Sequence, residues 1–161
     1  MRLAASIALV LVLVPAAVGA GANGAAPTST SLSIEGGRGL VQITGKGVLV
    51  GRMGKGSLEI TDLSGTDQWS PRVNGIPRGK MVTLRGKNVS FYIPGGKYKL
   101  IARGSDISIS ARGSGSLTLD GDPDAVGDTG MYAIGDAVPI PLPPGTTKAT
   151  FGPDGSTPSA P

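Results

Sequence analysis

Residues 31–60 read SLSIEGGRGLVQITGKGVLVGRMGKGSLEI, and residues 90–119 read SFYIPGGKYKLIARGSDISISARGSGSLTL. Laid over each other without a gap, Ile34 meets Ile93 and the pair Gly36-Gly37 meets Gly95-Gly96. Gly45 meets Gly104, Val48 and Val50 meet Ile107 and Ile109, and Gly54-x-Gly56-Ser57-Leu58 meets Gly113-x-Gly115-Ser116-Leu117. What recurs is apolar residues two apart, punctuated by glycine. Period-two alternation marks half-buried strands, and glycine marks positions where φ > 0 is commonly needed. This stretch therefore predicts an all-β chain with an internal repeat. It carries architecture and no reaction chemistry.

Working outward, Leu32/Ile34, Val41/Ile43, Val48/Val50 and Leu58/Ile60 give four strands in the first unit. Val89/Phe91/Ile93, Leu100/Ala102, Ile107/Ile109 and Leu117/Leu119 give four in the second, with Val82/Leu84 between them. Gly45-Lys46-Gly47, Gly54-Lys55-Gly56, Gly104-Ser105-Asp106 and Gly113-Ser114-Gly115 read as tight turns. In the second unit Leu100, Ala102, Ile107, Ile109, Ala111, Leu117 and Leu119 form the core face. Lys97, Lys99, Arg103, Ser108, Ser110, Arg112, Ser116 and Thr118 form the wet face, as in an antiparallel sheet with one solvated side. The expected fold is two related four-strand antiparallel units packed as a β-sandwich or closed into a barrel, with a β-solenoid as the rival. Met131-Tyr132-Ala133-Ile134 and Thr147-Lys148-Ala149-Thr150-Phe151 read as two more strands. The proline-rich run 138–144 between them reads as an extended, edge-covering connection or a docking motif.

The first 22 residues give an address. Met1-Arg2 carries one charge, residues 3–14 are apolar apart from Ser6, and Pro15 and small residues follow. This is a secretory signal pattern with cleavage after Ala20 or Ala22; an uncleaved N-terminal anchor is the alternative. The apolar run is short for a membrane span, and no later segment is long and apolar enough for one. Residues 23–30 read as a disordered linker, 31–152 as one all-β domain, and 153–161 as a disordered tail. An exported chain with Cys 0 has no disulfide and must fold on a hydrophobic core.

The formal charge of +4 is unevenly spread. Between Gly36 and Arg112 lysine and arginine dominate. After Gly113 the balance reverses, with Asp120, Asp122, Asp124, Asp128, Asp136 and Asp154 against Lys148 alone. A basic surface for an acidic polymer is one reading of this, and ordinary solvated charge is the other. The candidate binding residues are Trp69, Arg72, Lys97, Lys99, Arg103 and Arg112. Trp69 is the sole tryptophan and lies in the connector 62–79, DLSGTDQWSPRVNGIPRG. It is either a ring that stacks on a sugar or a partner, or a plug at one end of the sheet core. Tyr92 and Tyr98 are placed on the wet face near Lys97 and Lys99, but nucleic acid is not the expected ligand of an exported protein.

With His 0 and Cys 0 there is no Ser-His-Asp triad, no Cys-His pair and no nitrogen or sulfur ligand for zinc. Glu35 and Glu59 are the only glutamates, and the repeat sets Pro94 and Thr118 in their places, so no carboxyl pair is preserved between the units. The inventory points to a non-enzymatic protein without a cofactor. Asp120, Asp122, Asp124 and Asp128 have alternate spacing that suits calcium. Ala125 in place of a turn glycine and the absence of a closing glutamate depart from the EF-hand loop.

The run GKNVSFYIPGGKYKLIARGSDISISARGSGSLTLDG from Gly86, with GMYAIGD from Gly130 and PLP from Pro141, resembles a family of exported, glycine-punctuated all-β proteins from actinobacteria. The resemblance covers most of residues 36–151. It implies the fold and the address. The family has no established activity, so it assigns no site residue. The function expected from the sequence is an exported β-domain that contacts acidic or sugar-containing cell-envelope polymers. The alternatives are a structural or protein-interaction module at the cell surface and a calcium-dependent binding module.

Overall fold

The computed structural model describes residues 30–65, 69–124 and 129–153. The signal segment, Asp128 and residues 154–161 lie outside them. All regular structure is strand: β1 (Thr30–Asp62), β2 (Arg72–Val73), β3 (Ile76–Pro77), β4 (Met81–Ile93), β5 (Lys97–Gly121), β6 (Met131–Ile134), β7 (Ile140–Pro141) and β8 (Thr146–Phe151). Every ladder is antiparallel. Among the described residues no helix is long and apolar enough to cross a membrane.

The glycine triplets are not turns. They lie inside β1 and β5, which run unbroken for 33 and 25 residues. Glycine at φ between +139° and +155° (Gly47, Gly56, Gly104, Gly113) swings the strand without releasing the ladder. The consequence is a ribbon that coils onto itself. Residues 30–46 of β1 pair with 97–113 of β5, and residues 39–62 pair with 98–121. Residues 39–46 thus have β5 on both sides.

The other strands complete the edges in two parallel series. β4 borders β1 from Leu49 to Thr61, and β8 borders β5 from Gly115 to Asp120. β2 lies beside Phe91 and Tyr92, and β6 beside residues 32–35. Each of these short strands folds back on an Ile-Pro pair, Ile76-Pro77 or Ile140-Pro141. The connector expected to be a loop therefore contains a hairpin, turned by Asn74 (φ 50°) and Gly75 (φ 78°). The strand order β3-β2-β4-β1-β5-β8 ends on two different strands, so the sheet is not closed into a barrel. The parallel rungs of a solenoid are also absent among the described residues.

The core is one cluster that runs through both long strands. Leu100, Ala102, Ile107, Ile109, Ala111, Leu117 and Leu119 are all buried. Burying each leucine or isoleucine there contributes about 1.5–3 kcal/mol. The first unit departs from the expected phase. Val48 and Val50 are 42% and 52% exposed, while Leu49 and Met53 are buried. Inward positions in β1 stay odd-numbered from Val41 to Met53 and change phase only before Leu58. In β5 the change comes earlier, between Ala102 and Ile107, where Gly104 and left-handed Asp106 (φ 55°) sit. The proline-rich run behaves as an edge cover: the buried Leu142 donates its N–H to the Gly130 carbonyl at 2.9 Å.

Candidate ligand-binding surface

Five glycines on five adjacent strand segments fall in one row. Gly86 is opposite Gly56, Gly56 opposite Gly104, Gly104 opposite Gly39, and Gly39 opposite Gly121. The row marks a bend of the coiled sheet. At Gly56 (φ 153°) and Gly104 (φ 155°) an added Cβ would collide with the carbonyl oxygens of Arg103 and Lys55 respectively. The backbones approach too closely for any side chain.

The residues flanking this row project outward, because neighbours on either side of one strand position share a face. On the first three strands they are Arg85 and Lys87, Lys55 and Ser57, and Arg103 and Ser105. Arg38 follows on the fourth, and Asp120 and Asp122 on the fifth. The four lysines and arginines Lys55, Arg85, Lys87 and Arg103 line a groove of about 510 Å³ around Gly56 and Gly86. It adjoins a second groove of about 430 Å³ that shares Lys55 and Gly56 and adds Arg38 and Asp122. No ion pair joins these cations to a carboxylate among the described residues. Lys55 stands directly opposite Lys87 in the ladder. Like charges directly opposite each other destabilise a sheet, so the fold gains nothing from this pair. The row ends in opposite charge: the Asp122 N–H donates to the Arg38 carbonyl at 3.2 Å.

A second surface forms around Trp69. Ser64, the only buried polar residue among those described, ties the connector to the start of β5. Its Oγ accepts from the Lys97 N–H at 2.7 Å and from the Trp69 indole N–H at 3.1 Å, and the Ser64 N–H donates to Asp62 Oδ1 at 2.7 Å. The indole lies over Gly96, where any Cβ would collide with it, and packs against the core while staying partly exposed. It therefore plugs the sheet end and also shows a surface. Trp69, Arg72, Pro77, Tyr92 and Pro94 line an open groove of about 840 Å³. Arg72 is directly opposite Tyr92, which is 39% exposed.

Further along β4, Asn88 and Ser90 line a cleft of about 770 Å³ together with Arg52, Glu35 and Asp106. Gly36 N–H donates to Ser108 Oγ there at 3.5 Å.

The structure brings Trp69 and Arg72 together, as residues three apart in one connector. It separates the other candidates. Arg103 joins the basic trough, whereas Lys97 stands opposite Lys46, Lys99 opposite Thr44 and Thr61, and Arg112 opposite Val48. Tyr98 is not on the wet face: it is fully buried, and burial pushes its hydroxyl up to about 12. Its hydroxyl and Asp62 Oδ2 are buried without a hydrogen-bond partner among the described residues. Asp120, Asp122 and Asp124 do not converge. Asp122 Oδ1 accepts from the Asp124 N–H at 3.1 Å, Asp128 lies outside the described residues, and no cluster of three ligating side chains occurs among those described.

Lys55, Arg85 and Lys87 were not among the candidates singled out from sequence. Their signal is local: Lys55-Gly56-Ser57, Arg85-Gly86-Lys87 and Arg103-Gly104-Ser105 are three copies of a cation, a glycine and a polar residue. No protein-family model, curated protein or solved structure matches the chain.

Proposed function

We propose that this protein is an exported, non-enzymatic binding module whose basic trough holds an acidic polymer of the cell envelope. One observation carries the reading. Five cations from four strand segments line two adjoining grooves in which Asp122 is the sole carboxylate among the described residues, and two of the cations face each other across a ladder. Charges of one sign held together on a polar surface raise the local concentration of a polyanion. The glycine row gives the trough a floor of backbone, which lets a chain lie close. Export rests on the signal-like N-terminal segment, and the resemblance to exported actinobacterial proteins agrees with it.

The same proposal takes the two halves of the domain as copies of one unit. The matching order of edge strands supports this, with β4, β2 and β3 around one half and β8, β6 and β7 around the other. On this view the two wings of the coiled sheet pack face to face as a sandwich over the shared core.

The test is binding of polygalacturonate to the protein and to an Arg85→Gln/Lys87→Gln/Arg103→Gln variant. The expected result is binding that weakens about 50-fold between about 50 and 200 mM salt, as release of some four counterions requires, and that the variant loses. Failure of the wild-type protein to bind, or undiminished binding by the variant, overturns the proposal.

A further inference from the structure

We infer that the polymer is a polysaccharide bearing carboxylates, and that one of its sugar rings seats in the groove between Trp69 and Tyr92 with its carboxylate on Arg72. This rests on the polyanion reading above and narrows it, because a trough of cations alone does not distinguish a sugar chain from a phosphate chain.

Three observations point to a sugar. First, the indole N–H is already donated to Ser64 Oγ at 3.1 Å. Here the indole offers the groove a face and no donor, which suits stacking on the C–H surface of a sugar ring. Second, Arg72 is exposed beside Tyr92, and among the described residues no carboxylate lines the groove. Its planar fork of donors fits a carboxylate in two-point contact. The remaining polar groups, Ser70 and the Tyr92 hydroxyl, suit sugar hydroxyls.

Third, the groove is joined to the trough along a single strand. Lys87, Ser90 and Tyr92 all project to solvent from β4, with Arg52 opposite Ser90. Lys87 and Tyr92 are five residues apart, about 17 Å along an extended strand. One polymer chain laid along β4 therefore meets cations at one end and stacking rings at the other. The linear spacing is what a polysaccharide uses and an isolated anion does not.

Trp69 is the only tryptophan in the chain, so its fluorescence reports on this groove alone. The experiment titrates the protein with oligogalacturonate and, separately, with inorganic polyphosphate, following both affinity and emission. Oligogalacturonate is expected to bind and shift the emission, and polyphosphate to bind with the emission unmoved. Tyr92→Ala and Arg72→Ala, both at exposed positions, are expected to weaken oligogalacturonate about tenfold each, near 1.4 kcal/mol, and to leave polyphosphate unchanged. If polyphosphate binds but oligogalacturonate leaves the emission unmoved, or if the two variants weaken both ligands alike, the sugar groove is wrong and the basic trough stands. If neither ligand binds, the polyanion reading fails and the groove falls with it.

Discussion

The molecule uses one backbone device at two places and finishes them differently. At one bend Gly56 faces Gly104; at the other Gly45 faces Gly115 and Gly47 faces Gly113. In each case a side chain would strike the neighbouring backbone. Around the second bend the space beside the glycines is filled. Tyr98 is paired with Gly45 and Phe151 with Gly115, and both are buried. Around the first bend the neighbours are Lys55, Arg85, Lys87 and Arg103, exposed and without carboxylate partners among the described residues. Cations flank the second bend as well, with Lys46 directly opposite Lys97 and Arg112 beside Gly113, but there they share the bend with buried aromatic side chains. At the first bend every glycine stands opposite another glycine, no aromatic ring is paired with one, and five cations line the adjoining grooves.

The largest expected effect breaks the shared device. Gly104→Ala forces a side chain into a conformation that glycine alone adopts freely and against the Lys55 carbonyl. It should cost about 3 kcal/mol or more in chemical denaturation. Gly79→Ala is the matched control, since nothing lies within 4 Å of its added Cβ, and should stay within about 0.5 kcal/mol.

Next, Ser64→Ala removes the acceptor that holds the Trp69 and Lys97 N–H groups. A loss of about 1–3 kcal/mol is expected, with a change in Trp69 emission that marks the loosened connector.

Tyr98 sharpens the account of the filled bend. Its buried hydroxyl has no partner among the described residues, so Tyr98→Phe should be neutral or slightly stabilising at pH 7. Burial raises its folded-state value to about 12 from an ordinary value of about 10. The neutral phenol is thus favoured in the folded protein. The corresponding stability is present below about pH 10 and is lost as pH rises toward about 12. Denaturation followed across that window should show the loss in the wild-type protein and a smaller one in Tyr98→Phe.

Much of the fold was readable as pattern. Alternation identified the core residues of β5 from Leu100 to Leu119 and missed Tyr98, because period two is a local property of a strand and the aromatic ring beside Lys97 and Lys99 reads as part of the wet face. It failed at Val48 and Val50 because the inward phase through a bend depends on how many residues the bend consumes, which spacing alone does not show. Glycine triplets read as turns for a related reason. A turn and a bend both require φ > 0, and only the distant partner strand tells them apart. The Asn74-Gly75 hairpin did carry a local signal, hidden inside a connector taken as one loop. Of the candidate sites, Trp69 and Arg72 were legible as neighbours in sequence. The basic trough was not, because Lys55, Arg85 and Arg103 are brought together by ladder register alone. Composition shows that cations are abundant, and register decides which of them face one another.

The smallest expected effect on stability falls on that register. Lys55→Gln relieves the like-charge pair with Lys87 and should stabilise the protein by a few tenths of a kcal/mol, the opposite sign to Gly104→Ala and Ser64→Ala. The same residue gives the most direct test of the basic trough as a binding surface. The measurement is the slope of log affinity for polygalacturonate against log salt concentration, in the wild-type protein and in Lys55→Gln/Lys87→Gln. The account predicts that the double variant binds more weakly and that its slope is shallower by about two, roughly one for each cation removed. An unchanged slope and affinity, with the variant folded, would contradict it.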